Sequence, residues 1–68
     1  IYTENGAVVV DSDHAAGTVN ICDFSGRTIY SNREVRSITR FPLSEGSYII
    51  TLIIDGKQYS QKVYLLSR

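Results

Sequence analysis

Hydrophobic and polar residues alternate along most of the chain, and no stretch shows a helical period. The alternating runs are punctuated by Gly6, Gly17, Gly26, Gly46 and Gly56. Short alternating runs at regular spacing, with turn residues between them, predict an all-β fold: an antiparallel sandwich or barrel.

Three hairpins can be written with their registers. Asn5-Gly6 tolerates the positive φ of a tight turn, which pairs Thr3 with Val8 and Ile1 with Val10. Asp23-Phe24-Ser25-Gly26 has Asp at the opening turn position and Gly at the left-handed residue of a three-residue loop. Asp23 then faces Arg27 and Ile21 faces Ile29. Val19, Ile21 and Ile29 form one apolar face, with Asn20, Cys22, Thr28 and Tyr30 on the other. The third hairpin runs from Ser47 to Ile54, turns at Asp55-Gly56 and returns from Lys57 to Leu66. It pairs Leu52 with Tyr59, Ile50 with Gln61 and Tyr48 with Val63 on the core face. Thr51 with Ser60 and Ile49 with Lys62 lie on the opposite face. A slip of one residue would bury Ser60 and Lys62, so this register is well specified. Between the second and third hairpins, Val35, Ile38, Phe41 and Leu43 mark a further strand that ends at Pro42. Proline lacks a ladder donor, which places that strand at an edge or a turn.

Length sets the scale of what this sheet can do. With 68 residues the chain makes one domain, residues 1–68, and buries only about 60% of its unfolded surface. A deep catalytic cleft does not fit. At 43% hydrophobic residues the chain is too apolar for a disordered tail, and a single Cys makes no internal disulfide. No apolar run approaches the roughly 20 residues of a membrane helix. Charge is balanced but segregated: residues 1–26 hold Glu4, Asp11, Asp13 and Asp23 and no Lys or Arg, whereas all seven Lys and Arg fall in residues 27–68. The two halves are expected to lie together and neutralise. No basic stripe interleaved with aromatics points to nucleic acid.

Residues that could carry chemistry are few. Asp11, Asp13 and His14 share a polar loop, but the spacing lacks the Gly and distant Glu of a calcium loop, and His14 has no second His or Cys for zinc. A solvated turn is the expectation, with no metal and no cofactor. Cys22 sits mid-strand with Thr28 and Tyr30 as its expected neighbours, neither of them a base to activate it, so it reads as a packing residue. No nucleophile, base and orienting group are assembled, and no enzyme is expected.

Three fragments now stand in order: Val19 to Arg27, containing Asp23-x-x-Gly26-Arg27; Leu43-Ser44-Glu45-Gly46-Ser47-Tyr48; and Gly56-Lys57-Gln58-Tyr59 followed by Lys62-Val63. Together they resemble the C-terminal sorting domain of type IX secretion system cargo proteins of Bacteroidetes, over essentially all of residues 6–66. Cys22 departs from the pattern, standing where an aromatic is common. The resemblance implies a small Ig-like antiparallel β-sandwich of about seven strands. It implies a non-catalytic domain that follows an exported passenger in the same polypeptide and directs it from the periplasm through the outer-membrane translocon. A sortase then anchors the passenger at the cell surface, cutting in the linker before the domain, or the passenger is released. The same resemblance assigns recognition to Gly46, Tyr48, Gly56, Lys62 and Val63, and makes Asp23, Gly26 and Arg27 the motif turn. Each has a plainer role beside the functional one: Gly26, Gly46 and Gly56 serve turns, Tyr48 and Val63 serve the core, Arg27 pairs with Asp23, and Lys62 guards a strand against unwanted pairing.

A second reading makes the chain an Ig-like accessory or glycan-binding module of an extracellular protein, with Tyr2, Tyr30 and Tyr64 as candidate platform residues. Under either reading, a sheet with open edges permits a homodimer by strand exchange.

Overall fold

The computed structural model describes residues 1–4, 6–12 and 16–66. Asn5 of the first turn, Asp13 and His14 of the polar loop, and Arg68 lie outside the described residues. Seven strands follow in chain order: β1 Tyr2–Glu4, β2 Ala7–Asp11, β3 Gly17–Asp23, β4 Thr28–Val35, β5 Ile38–Pro42, β6 Gly46–Ile54 and β7 Lys57–Leu65. They form two antiparallel sheets, one ordered β1-β2-β5 and the other β4-β3-β6-β7. The core between the sheets joins Val8, Val10 and Phe41 from the smaller one to Val19, Ile21, Val35, Tyr48, Ile50, Leu52, Val63 and Leu65 from the larger. The fold is a small all-β sandwich.

The third hairpin has the register expected from its pattern at every pair, from Ile54 opposite Lys57 to Tyr48 opposite Val63. Asp55 and Gly56 take φ of 53° and 77°, the positive values a two-residue turn of this hand requires. Only part of the intended core face is covered, however. Tyr48, Ile50, Leu52 and Val63 are buried, while Tyr59 remains 51% exposed. Tyr59 and Gln61 stand on the edge strand towards the turn, where the short β1 gives little cover; the Gln61 amide reaches the Ile1 carbonyl at 3.5 Å. In the first hairpin Thr3 faces Val8 as expected, and the paired segment spans Tyr2 to Glu4.

The second hairpin corrects the simple alternation. Cys22 faces Thr28, but the register then shifts, so that Ile21 faces Tyr30 and Val19 faces Arg33. Each bulge inserts one residue and turns the following side chains to the other face. Ile29 is therefore turned out, 36% exposed, and Tyr30 is turned in against Phe41 with ring centroids 5.1 Å apart. Asn32 lies in the shifted stretch at φ 53°, and its N–H donates to the Asn20 side-chain oxygen at 2.9 Å. Asparagine tolerates that conformation better than most residues.

β5 is an edge strand with Pro42 as its last residue, opposite Ala7, and the Leu43 N–H continues the tie to Gly6 at 3.1 Å. The expected neutralisation between the acidic and basic parts of the chain includes two ion pairs among the described residues. Arg27 pairs with Asp23 at 3.4 Å, and Arg40 reaches Glu4 at 3.9 Å across β2. Beneath that second pair, Ala7 and Val9 are buried on the outer face of the small sheet.

Candidate functional site

Asp23 ends β3 and organises the turn after it. Its Oδ1 accepts from the Ser25 hydroxyl at 2.8 Å, the Arg27 N–H at 2.9 Å and the Ser25 N–H at 3.1 Å. The Gly26 N–H donates to the Asp23 carbonyl at 3.0 Å, closing the loop. This is the expected job of an Asp that opens a turn: its short carboxylate replaces backbone partners the turn cannot supply. The Ser25 hydroxyl first, then the Arg27 N–H and the Arg27 charge, hold the Asp23 carboxyl below its ordinary 3.8. Phe24, at the tip, is 77% exposed.

The segment Leu43 to Tyr48 comes from a separate part of the chain and lies beside this turn. Tyr48 is buried, and its hydroxyl donates to the Ser44 carbonyl at 2.7 Å, fastening the loop to the strand that follows. Tyr48 also sits between its neighbours in the sheet, opposite Asp23 on β3 and Val63 on β7. Between the two segments runs an open groove lined by Asp23, Phe24, Arg27, Leu43, Glu45 and Tyr48 among others. The Asp-x-x-Gly-Arg and Leu-x-x-Gly-x-Tyr motifs thus form opposite walls of one feature.

β7 adds to the same end. Lys62, exposed and opposite Ile49, sets its Nζ 5.5 Å from the centroid of the Phe24 ring. The Tyr64 hydroxyl donates to Glu45 at 3.5 Å. Of the candidate residues, Asp23, Gly26, Arg27, Gly46, Tyr48, Lys62 and Val63 therefore gather at one end of the large sheet. Val63 is buried and contributes packing rather than accessible surface. Gly56 does not join them: it lies at the turn beyond the other end of the nine-residue β6, about 30 Å from Gly46 at roughly 3.3 Å per residue. Its place is explained by the turn alone.

Phe24, Glu45 and Tyr64 complete this end and were not singled out together by the sequence. The available signal was the lone aromatic at the tip of an otherwise polar turn. Cys22 is half-buried and lies between Thr28 and Ile49 rather than beside Tyr30. The platform tyrosines of the accessory-module reading are scattered. Tyr2 is on β1 of the small sheet, Tyr30 is packed on Phe41 between the sheets, and Tyr64 is on β7.

Two sheets of seven strands bring two motif segments, distant in the chain, around one groove. A family model described as a secretion system C-terminal sorting domain matches residues 4–65. The chain belongs to that family, the sorting tails of the type IX secretion system, whose presence implies export to the cell surface or extracellular space. No curated protein and no solved structure matches the chain.

Proposed function

We propose that residues 1–68 form an Ig-like, non-catalytic signal domain at the carboxyl end of an exported protein. The type IX outer-membrane translocon reads it as a folded surface. The passenger precedes it in the same polypeptide, crosses the periplasm and is delivered to the outer-membrane surface, where a sortase anchors it, or to the medium. The observation that carries this reading is the convergence of two motif segments distant in the chain, Asp23 to Arg27 and Leu43 to Tyr48, on one groove flanked by Lys62. Motif residues gathered on loops and strand ends around one groove suit recognition by a partner.

The recognised surface is the outward face of β6 and β7 with the adjoining Phe24 turn. A reporter fused ahead of residues 1–68, expressed in a host with a working type IX translocon, tests this. Lys62→Ala changes stability by no more than about 0.5 kcal/mol, as exposed substitutions do. The same change, and the triple variant Gln58→Ala, Lys62→Ala, Tyr64→Ala, leaves the reporter in the periplasm. Surface display of the folded triple variant at the wild-type rate sinks the assignment of that face. Display of a fusion lacking residues 1–68 altogether would instead favour the accessory-module reading.

A further inference from the structure

Three of the four sheet edges carry a device that discourages a further strand. β1 is only three residues long. β5 ends at Pro42. β4 is bent by two register shifts and by Asn32 at positive φ. Short length, proline and bulges are each ways in which an edge avoids pairing. β7 has none of these three, its nine residues pairing with β6 in one uninterrupted register, and its guard is charge alone, from Lys57 and Lys62.

The turn at Asp55-Gly56 determines which β7 backbone groups are left over. In a two-residue hairpin the flanking residues, here Ile54 and Lys57, exchange both hydrogen bonds, and bonded pairs alternate from there. Tyr59, Gln61, Val63 and Leu65 therefore turn their N–H and C=O groups to β6. Gln58, Ser60, Lys62 and Tyr64 turn theirs outward. Among the described residues, no backbone group from another segment bonds to these four. β1 lies against β7 from the opposite sheet, but the bond there comes from the Gln61 side chain.

We propose that β7 is a docking edge onto which the export machinery adds an extended strand bearing carboxylates. This rests on the sorting reading and names how the signal is read: by main-chain pairing for affinity, and by charge for choice of strand. The charge argument comes from the edge itself. β7 carries Lys57 and Lys62 and no acid, while β6 beside it, Gly46 to Ile54, has no charged residue. Neither lysine forms an ion pair with a described residue. A neutral strand docking here would offer these ammonium groups no partner beyond the Phe24 ring already beside Lys62, whereas one with a carboxylate opposite Lys62 would pair with it. A second copy fits poorly. In the symmetric antiparallel register centred on Gln61, the two Lys62 side chains are diagonal neighbours on one face, about 7–8 Å apart. The register centred on Lys62 places the two Lys62 side chains directly opposite each other, and registers centred nearer the turn separate them only by shortening the paired stretch.

The test separates backbone from side chain. Ser60→Pro removes an outward N–H and no bond to β6, so the edge tolerates it. In the reporter fusion described above, Ser60→Pro and the double variant Lys57→Glu, Lys62→Glu are expected to fold, by circular dichroism of the purified 68-residue chain, yet to lose surface display. Lys57→Arg with Lys62→Arg retains it. Wild-type display by folded Ser60→Pro overturns strand addition, and wild-type display by the Glu variant overturns the acidic partner. Either result leaves the sorting reading intact, which fails only if the fusion lacking residues 1–68 is displayed. Should Ser60→Pro not fold, amide exchange decides, using a peptide of β7's length that alternates Thr and Glu. Slowing of about tenfold at the Gln58, Ser60, Lys62 and Tyr64 amides, absent with a Thr-Lys peptide, is the supporting result. Equal exchange with both peptides overturns the proposal, as does protection of the same amides through dimerisation of the chain alone.

Discussion

The Tyr30 hydroxyl donates a hydrogen bond to the Pro42 carbonyl at 2.9 Å, so an edge residue of the large sheet holds the last residue of β5 in the small one. The contact exists because the β4 bulges turn Tyr30 inward, and Phe41 packs against the same ring.

Tyr30→Phe keeps the ring contact and removes the bond. It is expected to lower unfolding stability by about 0.5–1.5 kcal/mol, the usual net worth of such a bond. Urea denaturation of the two proteins measures it. An unchanged midpoint would mean that water replaces the hydroxyl at no loss.

Gly17 opens β3 where the chain passes close to β6. A Cβ at this position would lie 2.8 Å from the Ile53 carbonyl oxygen and 2.8 Å from an Ile54 side-chain carbon. Backbone cannot give way as a flexible side chain can, so Gly17→Ala is expected to destabilise by about 1–3 kcal/mol through overpacking. A midpoint within experimental error of wild type would contradict the close approach of β3 to β6.

The Asp55-Gly56 turn has positive φ at both residues. Gly56→Val forces a β-branched residue into that region and is expected to cost about 1–3 kcal/mol, whereas Gly56→Asn is nearly neutral. Equal denaturation curves for the two variants would be incompatible with this turn. No Cβ clash confuses the comparison, since nothing lies within 4 Å of a Cβ at this position.

Acid should loosen the Phe24 turn. The Asp23 carboxyl titrates below its ordinary 3.8 in the folded chain, so its ionised form favours folding. That contribution is fully present above the unfolded value and is lost as pH falls through the lower folded one. Asp23→Asn keeps an accepting oxygen and removes the titration. Stability followed from pH 6 down to acid should therefore fall more steeply in wild type than in Asp23→Asn, the two curves diverging from about pH 4 downward. Parallel curves would show that this carboxylate does not couple to folding.

Legibility from sequence followed the range of the interaction. The third hairpin could be written residue by residue because Asp55-Gly56 and the flanking alternation specify turn, register and face together. Alternation failed in the second hairpin, where it predicts Ile29 inward and Tyr30 outward. Bulges break the period of two, and Asn32 was the one local hint. The groove was illegible for another reason. Arg27 and Glu45 share it only because β3 and β6 are neighbours and the sheets pack at that end. No local pattern encodes that proximity. The motifs could be named in sequence, but not their meeting.

The nearness of Ile1 to Gln61 has a consequence for tethering. Anything joined ahead of Ile1 enters the domain alongside the final strand, within a hydrogen bond of its middle residue. A flexible linker of n residues spans only about 5–6 Å × √n, so a bulky body on a short tether would crowd β7. Tether length thereby sets how readily that strand is reached from outside, and lengthening it offers a way to tune access while leaving every residue of the fold unchanged.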